Sequence, residues 1–161
     1  MALDLDIDLI RGQLGAWLDS PDDAGVAARR LAIAMAATHL AGGYDVVVPQ
    51  FLAREEFIHE LADTALHVGA TFVEIGLVVG RAEVLEAFVS RSVAPDNQQH
   101  RDAQALVERS GGTDALGEMY ERFMELLDGR PGAWRVEVVR GDVEGTLRAV
   151  EAAIEAATRR A

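Results

Sequence analysis

Three aspartates alternate near the start of the chain, Asp4, Asp6 and Asp8, and Arg11 stands three residues after the last of them. A carboxylate at the end of a strand can take the proton of a substrate hydroxyl as a general base. Asp8 occupies such a position, because Leu3 to Ile7 alternates apolar and acidic residues as a short strand does. The same aspartate is also a good cap for the helix that follows, and both roles stay open. Asp4 and Asp6 read as solvent-facing strand positions. A calcium loop is not among the readings, since its glycine and distal glutamate are missing. Arg11 can grip an anion through its planar fork, or lie on a helix surface. Gln50, just past the run Val46-Val47-Val48-Pro49, is a hydrogen-bonding candidate for a substrate. His59-Glu60 begins like a zinc-protease motif, but position 63 is Asp and the motif fails. No metal site is expected.

Residue types that are missing narrow the chemistry further. The 161 residues contain no cysteine and no lysine; all 15 basic residues are arginine. Disulfides, thiolate zinc sites and a cysteine nucleophile are excluded, as are a Schiff-base lysine and a lysine general base. The 27 acidic residues leave a formal charge of −12. Nucleic-acid binding is not expected of such a chain, because it calls for basic surface against phosphates. Trp17 and Trp134 are too sparse for a base-stacking platform. No apolar run approaches the roughly 20 residues of a membrane helix. The first residues lack the basic region of a signal peptide, so a cytoplasmic location is expected.

These residues need elements to position them, and the pattern alternates strand and helix. After the strand Leu3 to Ile7 comes a short helix, Leu9 to Trp17. Ser20 to Asp23 is a turn and cap cluster. A long Ala-rich helix, Ala24 to Leu40, carries Leu31, Met35 and Thr38 as its apolar stripe and ends at Gly42-Gly43. Asp45 to Pro49 is a β-branched run of the buried parallel type. Arg54 to Val68 is amphipathic, with Phe57, Ile58, Leu61, Ala65 and Leu66 on one face. Thr71 to Val79 is the next strand and Arg81 to Arg91 the next helix. A polar stretch follows, then helical patterns at Arg101 to Arg109 and Asp114 to Leu127. Trp134 to Val139 is the last strand and Val143 to Thr158 the last helix. This is the pattern of an α/β domain, a parallel sheet flanked by helices. Ligands of such sheets lie at the carboxyl ends of the strands, here near Asp8 to Arg11, Pro49 to Arg54, Gly80-Arg81 and Arg140 to Asp142.

The opening LDLDIDLIRGQLG resembles the second strand and following turn of small-molecule and polynucleotide kinases of the P-loop NTPase superfamily, relatives of chloramphenicol phosphotransferase and zeta toxin. VVVPQ, FVEIGLVV and the closing VEVV with RGDVEGTLRAVEAAI are similar to later parts of that family, so the likeness spans nearly the whole chain. The resemblance implies an ATP- and Mg²⁺-dependent phosphotransferase acting on a small-molecule hydroxyl. Asp8 would be its general base and Arg11 the grip on the acceptor. A helical lid over about residues 92–112 would carry Arg91 and Arg101, with Arg81 and Arg109 nearby, to clamp the transferring phosphoryl group. Surface ion pairs with Asp96, Asp102 or Glu108 are the alternative for those arginines. Asp142 would lie beside the adenine, or simply in a turn.

One departure is large. The family opens with a strand, a GxxxxGK[ST] loop and a helix, a unit of about 25–30 residues, and a chain without lysine cannot contain that loop. Its strand would be the central one, between the family's third and fourth strands. The expectation is therefore a single truncated kinase-like domain over 1–161, inactive alone, with Met1 a late start of a longer product. The alternative is a kinase-derived binding or oligomerisation module, in which another copy fills the vacant central strand.

Overall fold

The computed structural model describes residues 1–51, 54–93, 101, 104, 105, 107, 108 and 111–160. Its contacts divide the chain into two compact units, Met1–Phe72 and Val73–Ala161. The expected mixture of helices and short parallel strands is present in both. Among the described residues the strands form two separate parallel pairs and not one continuous sheet.

In the first unit, β1 (Ala2–Asp4) pairs with β2 (Asp45–Val47), Leu3 opposite Val46. The pairing runs on one step, as the Leu5 N–H donates to the Val47 carbonyl at 2.8 Å. β1 is shorter than the alternation Leu3 to Ile7 predicts. Asp6 turns the chain: its carboxylate accepts from the N–H groups of Asp8 and Leu9 at 2.8 and 3.2 Å. Capping thus starts α1 (Ile7–Gly12) two residues before the expected helix. Leu5, Ile7, Phe57 and Leu61 form the core with Ala28, Ala32 and Ala36, and Leu3, Val46 and Val48 pack on it.

The alanines lie on α2 (Pro21–Ala41). Its buried ridge is Ala24, Ala28, Ala32 and Ala36, while Leu31 and Met35 stay 46% and 43% exposed. The expected stripe of Leu31, Met35 and Thr38 therefore points away from the core. Small residues four apart let α1 and α3 (Glu55–His67) come close to α2, which a leucine ridge would prevent. Gly43 and Gly69, at φ 77° and 73°, close α2 and α3 in the left-handed region glycine favours.

In the second unit, β3 (Ile75–Val78) pairs with β4 (Trp134–Glu137), Leu77 opposite Val136. Between them run α4 (Arg81–Val93) and α5 (Thr113–Asp128); α6 (Val143–Thr158) follows β4. α5 lies against Gly76, where an added Cβ would stand 2.8 Å from a Leu127 methyl. Arg135, beside Gly76 in the register, donates to the Leu127 carbonyl at 2.8 Å. Leu77 and Val136 point to the opposite face, by the alternation of a strand. The Arg160 guanidinium, beyond the end of α6, lies 4.9 Å from the centre of the Trp134 ring. Residues 71–74 stay outside β3, yet the Glu74 carbonyl still accepts from the Trp134 N–H at 2.9 Å. The Glu74 carboxylate accepts from Arg130 Nε at 2.7 and 2.8 Å.

Candidate functional site

The carboxyl edge of the β1–β2 pair collects Asp8, Arg11 and Gln50. α1 begins where β1 ends, so Asp8 sits in the first helical turn and not at a strand end. Asp6, the residue before the helix, is the cap. Asp8 is thereby left with a half-exposed carboxylate that meets Arg11 Nη2 at 3.0 Å. Arg11 is held twice. Its guanidinium also lies 4.6 Å from the centre of the Trp17 ring, a cation–π geometry. Only 18% of its side chain is exposed, and its Nε is buried with no hydrogen-bond partner. Gln50 is half-buried past the end of β2.

Two further arginines belong to this neighbourhood. Arg29 lies in the N-terminal half of α2 and Arg54 is the residue that precedes α3. Burial lowers the Arg29 pKa first; the positive charges of Arg54 and Arg11 lower it further, against opposing contributions from Glu60 and Asp22. Burial and like charge together outweigh both acids at this guanidinium. Nothing in the hydrophobic period of α2 marks Arg29. Arg54 had a usable signal, because it follows closely on a strand of the buried parallel type.

The other sequence candidates lie in the second unit. Asp142 caps α6, its Oδ1 accepting from the Gly145 N–H at 2.8 Å, so its structural role is a cap at the carboxyl side of β4. Arg91 belongs to α4, with its side chain outside the described residues; Arg101 is exposed. Arg109, His100, Asp96 and Asp102 also lie outside the described residues, as does most of the expected lid. Arg81 pairs with Glu121 at 3.0 Å. At the carboxyl end of β3, Val79, Val84, Ala87, Glu83, Ser90 and Arg140 line an open depression of about 390 Å³. Arg140 faces Glu86 there at 3.5 Å. His59 and His67 lie exposed on α3, His59 beside Glu55 at 3.6 Å.

The described residues do not form a cradle for ATP and Mg²⁺. No glycine-rich loop ending in lysine exists in the sequence, and among the described residues no group of three or more His, Asp or Glu is placed to hold a metal ion. No described helix is long and apolar enough to cross a membrane. Comparison with protein-family models, with curated proteins and with solved structures finds no match to the chain.

Proposed function

We propose that these residues make up the acceptor-binding and lid portions of a P-loop-type phosphotransferase acting on a small-molecule hydroxyl. The observation that carries the reading is the pairing. β1 with β2, and β3 with β4, all parallel, are the neighbours that remain when the central strand is taken from the family's sheet. The chain also places a carboxylate, Asp8, and a buried arginine, Arg11, at the carboxyl edge of the first pair, where ligands of such sheets bind.

In this reading Asp8 takes the proton of the acceptor hydroxyl, and Arg11 orients both Asp8 and the acceptor. Nucleotide and Mg²⁺ would be held by a strand–loop–helix unit absent from these 161 residues, so no step at the donor phosphate is assigned to them. A second reading, a non-catalytic module that takes up a strand from another copy, is favoured by β2 and β3 each having a single hydrogen-bonded strand neighbour among the described residues.

The deciding measurement is the intact mass of the endogenous protein. A mass above 17.3 kDa by about 3 kDa, the size of a strand–loop–helix unit, is expected, together with Mg-ATP turnover lost on Asp8→Asn. A mass of 17.3 kDa, or turnover indifferent to Asp8→Asn, overturns the phosphotransferase reading. The 161 residues alone are expected to show no turnover.

A further inference from the structure

We propose that α6 (Val143–Thr158) pairs antiparallel with α6 of a second copy of this chain. The helix packs on β4 with its small residues: Ala153 is buried, and Thr146 and Ala156 are half-buried. Its large apolar residues lie on a different face. Val143, Leu147 and Ile154 are 78%, 55% and 44% exposed, and Val150 and Ala157 are half-buried. These five follow one another at steps of four, three, four and three residues, the spacing of a two-helix seam. Glu144, Arg148, Glu151 and Glu155 are exposed and border the seam on the side away from the small residues.

The seam is complementary to itself, which is what names the occupant. Laid antiparallel on a second copy, it sets Leu147 against Ala157 and Val150 against Ile154, and the two-fold axis repeats both contacts. The same arrangement brings Arg148 beside Glu151 and Glu155 of the second copy, so opposite charges meet along the border. Within one chain these side chains are held only at the helix surface, Arg148 3.7 Å from Glu144 and Glu155 3.5 Å from Arg159. Parallel pairing lacks that match, because Glu144 and Glu151 would face the border that carries Thr146 and Ala153, which has no charge to meet them.

The 16 residues of α6 span about 24 Å, and one helix pair buries less than the roughly 1,600 Å² of a standard interface. The dimer is therefore reversible. Its contact is distinct from the strand edges of β2 and β3, and it does not depend on phosphoryl transfer.

The test is disulfide trapping, which reads α6 alone and separates its contact from association through strand edges. The chain has no cysteine, so an introduced thiol is the only one present, and it is trapped only where two Cα atoms approach within about 7 Å. Chains carrying Val150→Cys are mixed with chains carrying Ile154→Cys and oxidised. A disulfide joining the two variants is expected, in clear excess over either variant linked to itself. Each variant linking to itself and not to the other means parallel helices and overturns the arrangement. Sedimentation velocity gives the second readout. Leu147→Glu, which puts a charge into the seam, is expected to weaken dimerisation about tenfold or more. Leu66→Glu, at an exposed leucine of α3, leaves it unchanged. Arg148→Glu also weakens the dimer, and adding Glu155→Arg restores it. Absence of the mixed disulfide, or a dimer indifferent to Leu147→Glu, overturns the proposal.

Discussion

Arg11 shows how much a single residue's role depends on its neighbours. Its spacing from Asp8 is a property of the sequence, and helix geometry converts three residues into a pair on one face. The contact with Trp17 and the unpartnered Nε arise only when the chain beyond α1 folds back over the guanidinium. Asp6 takes the capping role that Asp8 was a candidate for, because the Asp6 side chain reaches two N–H groups of the first turn. Asp6→Ala is expected to cost about 1 kcal/mol of stability, measured by urea unfolding. Asp8→Ala removes no capping bond and should cost less. A larger loss at Asp8 than at Asp6 would show that the assignment of the cap is wrong.

At the scale of elements, α2 is the clearest case of packing overruling hydrophobicity. Leucine and methionine outrank alanine in apolar area, and a reading by hydrophobicity turns Leu31 and Met35 inward. The structure turns them outward because α1 and α3 both lean on α2, and only a ridge of small residues admits two close neighbours. Ala32, with no exposed surface, has no room for added carbon. Ala32→Leu is expected to destabilise by about 1–3 kcal/mol through overpacking, whereas Leu31→Gln should stay within about 1 kcal/mol of the parent. Thermal or urea unfolding of the two variants checks the contrast, and a reversed order would place the leucine face in the core after all. Boundaries were less legible than elements. α6 matches its expected range from Val143 to Thr158, and the structure shows the Asp142 carboxylate capping its start. β3 is less than half of its expected nine residues, since period-two and continuous apolar patterns do not say where a strand loses its partner.

For the molecule as a whole, the sequence of β2 and β3 belongs to strands with a neighbour on each side, and among the described residues each has one. In a parallel ladder alternate residues direct their backbone groups to opposite edges. The Val47 carbonyl is used by Leu5, so the N–H and C=O groups of Val46 and Val48 face the free edge of β2. By the same alternation those of Ile75 and Leu77 face the free edge of β3, as Glu74 and Val78 carbonyls serve β4. Unpaired, apolar strand edges favour association. Sedimentation velocity is expected to show the chain forming species larger than 17.3 kDa at tens of micromolar, and Leu77→Lys or Val47→Lys should shift them toward monomer. A monomer at all concentrations, unaffected by either lysine, would mean that the edges are protected without a partner.

Composition, the cysteine and lysine exclusions, the alternation of strand and helix, and the edge at which Asp8, Arg11 and Gln50 lie were all legible in the sequence. They depend on residue type and local period, which a linear string carries in full. Tertiary structure alone decided which face of α2 is buried. It alone brings Arg29 and Arg54 toward Arg11 and divides the strands into two pairs. Each of those outcomes depends on distances between residues far apart in the chain, and burial, like-charge repulsion and strand pairing act through such distances, which no local pattern encodes.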